Sequence, residues 1–335
     1  MTTRIFLTTA VALGLGQAAL AAPTDYPLVI DNCGHQVTIP ARPDNVVSIG
    51  QSTTEILYAL GQADRMAGTA LWFTPVLPAF AEDDARVDRI SDDTPSFESV
   101  VNRRPGFVPT MFAWMIGDQG AVGTRRQFAD LGIPAYVMPT DCQGKDNSVG
   151  ADGTRLAPFD IATLWDGIDQ IARVMDAQDA GQALIADLQA REVAVVERAR
   201  AMDLPDASAA VWFSSADLAL DPYMAGGMGV PAWMMDRLGL RNVVTSDEEW
   251  PAVGWETIAR ADPSVLVIAR MDRRRFPADD VEAKLRFLKT DPVTRRMTAV
   301  RRDRIVILYA EALHPGIRMI DGLEALAAGM DGLSE

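Results

Sequence analysis

The chain has 335 residues, 48% of them hydrophobic and 23% charged, with a formal net charge of −15. That length suits two domains, and that apolar share fills their cores, which excludes a disordered chain. The acidic balance excludes nucleic acid and anionic membrane surfaces as partners, but a local arginine cluster can still hold an anionic solute at contact distance.

The N-terminus reads as a leader. Arg4 precedes an apolar run over 5–20, and Ala19-Leu20-Ala21 places small residues at −3 and −1, so residues 1–21 are a predicted cleaved signal peptide. Losing Arg4 with it takes the charge from −15 to −16. No cysteine stands at the cleavage site and no later run is long enough to span a bilayer. The expectation is a monomer exported to the periplasm, free rather than lipid-anchored. Cys33 and Cys142 are the two cysteines, and an even pair in an oxidising compartment reads as a disulfide. With His35 and His314 as the two histidines, no protein-held metal is expected.

In chain order, residues 28–30 and 36–39 flank Asp31-Asn32-Cys33-Gly34 as a hairpin. Strands are then predicted at 46–50, 66–70, 107–110 and 135–138, alternating with helices at 53–60, 97–102 and 124–131. Residues 140–158, rich in Asp, Gly, Asn and Ser, read as a long loop, followed by a helix at 160–175. Residues 180–202 contain no proline and place Leu184, Leu188, Val195 and Ala199 near helical spacing, giving a helix of roughly 30 Å ended by Pro205. A second series follows, with strands at 210–214, 242–244, 265–269 and 305–308 and helices at 232–238, 255–260, 281–288 and 317–330. The predicted fold class is α/β, with two parallel-sheet lobes joined by one long interdomain helix and a ligand cleft between them. The lobes are placed at 22–177 and 204–335, with the connecting helix at 178–203.

One stretch of text occurs twice. Phe97-Glu98-Ser99-Val100 precedes Pro105 and an apolar strand, and Trp255-Glu256-Thr257-Ile258 precedes Pro263 and another at the same interval. One copy per lobe makes the lobes pseudo-equivalent. Each glutamate can be read as an acid complementing a helix dipole.

Ligands of open parallel sheets lie beyond the carboxyl ends of the strands. Reading past those ends gives Trp72, Trp114, Arg270, Tyr309 and His314, with Tyr223 in the loop 221–229 within reach. Each also has a plainer reading as packing. Trp212 reads equally as core, Trp233 as helix packing, Trp250 as a loop pin, and Arg273-Arg274-Arg275 as surface charge.

The text Val37-Thr38-Ile39-Pro40, Arg42-Pro43, Thr54-Glu55-Ile56-Leu57-Tyr58-Ala59-Leu60-Gly61, Asp262-Pro263 and Pro315-Gly316-Ile317-Arg318 resembles, in order, the FecB/cobalamin-type periplasmic binding proteins of ABC importers. Gly106 stands where that family usually has Asp. The resemblance spans nearly all of the mature chain. It implies two lobes on a helix that permits small motion, a ligand between them, and two docking glutamates, here Glu98 and Glu256, facing the membrane subunits. It implies a chelated metal as cargo, a ferric siderophore foremost, with haem (Tyr309 or His314 as axial ligand) and cobalamin as alternatives, and no resident cofactor. Aromatic walls with Arg270 suit such cargo. The rival is an enzyme. Gly227-Met228-Gly229-Val230-Pro231-Ala232 fits G-x-G-x-x-A, but no strand leads directly into it, and no nucleophile elbow or zinc motif is present.

Overall fold

The computed structural model describes residues 21–148 and 152–333, so the expected leader lies outside the described residues except for Ala21. Strands β1 (Leu28–Asn32) and β2 (His35–Ile39) make the hairpin, turned by Cys33 and Gly34 at positive φ. The first lobe continues with β3 (Val46–Ile49), α1 (Gln51–Ala59), β4 (Met66–Ala70), α2 (Ala81–Asp84), β5 (Arg89–Ser91), α3 (Phe97–Val101), β6 (Val108–Thr110), α4 (Arg125–Asp130) and β7 (Ala135–Val137). Within the segment read as a loop, β8 (Lys145–Asp146) and β9 (Thr154–Arg155) pair antiparallel. Helix α5 (Ala162–Val174) leads to the long α6 (Gln178–Ala201). The second lobe follows as β10 (Ser208–Ser214), β11 (Tyr223–Met224), α7 (Val230–Arg237), β12 (Arg241–Asn242), α8 (Trp255–Ala261), β13 (Val265–Arg270), α9 (Val281–Thr290), α10 (Thr298–Arg301), β14 (Ile305–Tyr309) and α11 (Arg318–Met330).

The first sheet is parallel throughout, in the order β5-β4-β3-β6-β7. Its central strand β3 is buried at all four positions, because a parallel sheet is covered on both faces. The second runs β11-β10-β13-β14, with β12 also on β10, and only β11 is antiparallel. Helix α6 packs against α5 of one lobe and α11 of the other. It ends at Ala201, slightly before the predicted stop, because the chain turns through the left-handed Asp203 (φ 48) ahead of Pro205.

The duplicated text is a duplicated structure. Helix α3 gives way to Arg104 (φ 51) and Pro105, and α8 to Asp262 (φ 45) and Pro263. A left-handed residue closes a helix and the proline prevents its continuation. Cys33 and Cys142 are bonded, Cα to Cα 5.7 Å, tying the hairpin to the turn after β7. Among the described residues no helix is long and apolar enough to cross a membrane.

Candidate ligand-binding cleft

Each sheet reverses its strand order once. The first chain segment runs from β3 out to β5 and returns through β6 to β7, and the second leaves β10 for β12 and returns to β13 and β14. At such a reversal neighbouring loops diverge and open a crevice at the carboxyl ends. The carboxyl ends of β3, β6, β10 and β13 border that crevice, and the loops after β12 and β14 add to it.

Gly50 starts α1 at φ 123, and a Cβ there would lie 2.4 Å from Met111 Cγ, so glycine lets the β3 and β6 loops meet. It delivers Gln51, whose Oε1 accepts from the N–H groups of Phe73 (3.2 Å) and Thr74 (3.1 Å) and fixes the loop after β4. One turn later stands Glu55. Arg318 reaches it from the other lobe: Nε donates to Glu55 Oε2 at 2.7 Å, and Nη2 donates to Glu55 Oε1 and, at 2.6 Å, to the Pro75 carbonyl. Glu55 is 0% and Arg318 7% exposed. Burial, and then repulsion from Glu55, pushes the nearby Glu311 carboxyl up to about 8, with Arg318 opposing. Gly316 lies against Ser52, where an added Cβ would come within 2.8 Å of Ser52 Cβ. The cleft thus has a buried floor at which the lobes are pinned.

Two flanks also bridge the lobes. Arg273 donates to the Trp72 carbonyl (3.0 Å) and the Asp92 carbonyl and pairs with Asp93. On the other side Arg155 faces Glu249 at 3.5 Å and the Phe159 N–H donates to the Met228 carbonyl at 2.8 Å.

Between the flanks lies an aromatic cluster drawn from both lobes. Phe112 and Trp114 stack (5.9 Å, 18°) after β6. Phe213 and Trp250 stack across the second lobe (4.3 Å, 27°). His314 joins them, 6.2 Å from Phe112, 5.5 Å from Phe213 and 6.4 Å from Trp250. Burial pushes the His314 imidazole down to about 4, so it is neutral near pH 7. The Trp114 Nε1–H is buried without an acceptor. Beyond Trp114 a cavity of about 430 Å³ extends to the Cys33–Cys142 bridge, lined also by Arg125 and Lys145.

The structure thus brings Trp114 and His314 together, and it pairs Arg270 with Tyr309, the guanidinium 5.0 Å over the ring. Trp72 corrects the sequence expectation. Leu71 is left-handed (φ 63), and the indole, 2% exposed, packs with Tyr58 and Val87 and donates to Thr69 Oγ1 at 3.1 Å. Tyr223 is exposed on β11, apart from the ring cluster. Arg273, read as surface charge, is an interlobe contact. Phe112, Phe213, Trp250, Glu55 and Arg318 were missed. Strand alternation could have found Phe213, since Trp212 is 0% exposed against Trp255 and its neighbour must face the opposite side. Glu98 and Glu256 are both exposed in the first turns of α3 and α8. At the G-x-G-x-x-A text, Glu249 lies over the start of α7, its Cγ 2.9 Å from where a Gly229 Cβ would be, so a carboxylate stands where a phosphate would need to sit. Among the described residues no group of three or more His, Cys, Asp or Glu could hold a metal ion.

The sequence profile of the periplasmic binding proteins matches residues 46–312. An uncharacterised ABC transporter substrate-binding lipoprotein of Bacillus subtilis, YvrC, is 22% identical over 304 residues, covering 90% of this chain and 85% of its own. A periplasmic binding protein from Veillonella parvula superposes with a TM-score of 0.75 at 21% identity, over 91% of this chain and 97% of that one. A structure described as an ABC-type Fe3+-hydroxamate transport system from Saccharomonospora viridis gives 0.71 at 24% identity, over 91% and 99%. With two lobes, a cleft at both strand-order reversals and this profile match, the chain belongs to the periplasmic binding protein family, the solute receptors of ABC importers.

Proposed function

We propose that this protein captures a chelated metal, a ferric siderophore foremost, between its lobes and hands it to the two membrane subunits of an ABC importer. The observation that carries this is the interlobe cluster of Phe112, Trp114, Phe213, Trp250 and His314, which offers π faces from both sides to a bulky solute. The hydroxamate transport relative supports the cargo class. Haem is the second reading, favoured by a neutral imidazole at His314 that can donate to iron. The protein acts as a free periplasmic monomer, exported by its leader, and needs no resident cofactor. Glu98 and Glu256 dock it, one per lobe, onto subunits related by a two-fold axis.

The test is Glu98→Arg/Glu256→Arg, compared with wild type for ferric-hydroxamate affinity in solution and iron uptake in cells. Charged rim contacts govern docking rate and register, so uptake should fall while affinity holds. Unchanged uptake would leave the carboxylates as helix-dipole partners, and loss of affinity would place them in the cleft or the fold.

A further inference from the structure

We propose that the chelate taken by this cleft is uncharged or nearly so, gripped by its apolar or π faces between Phe112 and Trp114 of one lobe and Phe213 and Trp250 of the other, and not by cationic side chains. This rests on the solute-receptor reading above and narrows it.

Most basic side chains around the cleft are already engaged by carboxylates. Arg270, at the carboxyl end of β13, is held by Asp272 (Nε to Oδ1 2.9 Å) besides covering Tyr309. Arg273 is paired with Asp93, Arg274 with Asp280 (3.1 Å), Arg155 with Glu249, and Arg318 with Glu55. Lys284, at the carboxyl ends of β10 and β13, is 0% exposed and donates to the carbonyls of Phe213 (2.7 Å) and Ala269 (3.2 Å) with Asp279 3.5 Å away. Arg275 lies over Phe276 at 5.3 Å. A guanidinium already matched by a carboxylate adds little net positive potential, and the carboxylates of Asp93, Asp272 and Glu249 stand on the same rims.

The side cavity does not reverse this balance. Arg125 there is engaged by Asn32 Oδ1 (2.8 Å) and the Ala135 carbonyl (3.0 Å), Lys145 by Asp141 (2.5 Å), and Asp118 lines the same cavity. A polyanion entering between these rings would leave water and meet cations that, Arg275 and Arg125 apart, are already matched by carboxylates, which is costly. A chelate whose donor oxygens are internally neutralised loses little, and gains ring contact on both faces.

The wild-type protein should be titrated, by calorimetry and tryptophan fluorescence, with four probes. Two are uncharged, a ferric trihydroxamate and cyanocobalamin, and two are anionic, a trianionic ferric triscatecholate and haem. An uncharged probe should bind at least ~30-fold more tightly than either anionic one, the lower end of what an unpaired buried charge costs. Asp272→Asn, which frees Arg270, should strengthen triscatecholate binding severalfold and narrow the gap. Triscatecholate or haem binding as tightly as the uncharged probes, or no response to Asp272→Asn, would overturn the proposal while leaving the receptor reading intact. Failure of all four probes to bind would overturn both.

Discussion

The buried pair Glu55–Arg318 is the contact through which the lobes are pinned, and Arg318→Met tests it. Methionine keeps most of the length and apolar volume of the arginine stem. Glu55, 0% exposed, would then keep only the Gln51 Nε2 and Leu77 N–H donors, both at 3.3 Å. Leaving one member of a buried ion pair without its partner costs about 3–5 kcal/mol. Glu55→Gln should cost a similar amount, because Arg318 would lose its bidentate acceptor and keep the Pro75 carbonyl. The double variant Glu55→Gln/Arg318→Met removes both charges, so its cost should fall short of the sum by at least ~2 kcal/mol. Urea unfolding at neutral pH, followed by tryptophan fluorescence, gives the three free energies by linear extrapolation. Single variants costing under ~1 kcal/mol, or a strictly additive cycle, would refute the reasoning, since either requires a pair already screened by water.

Glu311 has a folded pKa raised to about 8 from 4.5, so its stabilising proton is fully held below pH 4.5 and is lost as pH rises toward 8. His314 acts oppositely, destabilising as pH falls from 6.5 toward 4, which leaves pH 6.5–8 to Glu311. Stability should drop by roughly 1–2 kcal/mol across that window, and Glu311→Gln should flatten the slope; an equal slope in the variant would acquit Glu311. Removing the disulfide by Cys33→Ser/Cys142→Ser opens a loop with sequence separation 109 and should lower urea stability by up to ~4–5 kcal/mol, whereas a change below ~1 kcal/mol would show an unconstraining bridge. Solution scattering should show almost no change in radius on chelate binding, because α6 is continuous along both lobes and the floor is pinned; a large contraction would contradict this.

Much of this architecture was legible because it rests on local signals. Helix α6 was visible from an unbroken proline-free spacing, and the lobes' equivalence from Phe97-Glu98 and Trp255-Glu256 with their prolines. The disulfide followed from an even pair of cysteines in a chain read as exported. The edge strand β5 was not read, because Arg-Ile-Ser carries one apolar residue and no alternation. Site residues were harder, since a strand end says where a loop starts and not which way a side chain turns. Trp72 fails for that reason: the left-handed Leu71 folds the indole back onto Thr69. Glu55 and Arg318 stood within the text carrying the family resemblance, but nothing local couples residues 263 positions apart. Trp250, taken as a loop pin, stacks on Phe213 and reaches His314 through the packing of two distant loops.

The central claim is that a metal chelate binds among rings contributed by both lobes. Calorimetric titration of the wild-type protein and of Phe213→Ala/Trp250→Ala with a ferric trihydroxamate tests it most directly. One chelate should bind per wild-type chain, with tryptophan quenching, and the variant, whose unfolding transition stays cooperative, should lose at least ~30-fold in affinity. Equal affinity in the two proteins would contradict the account.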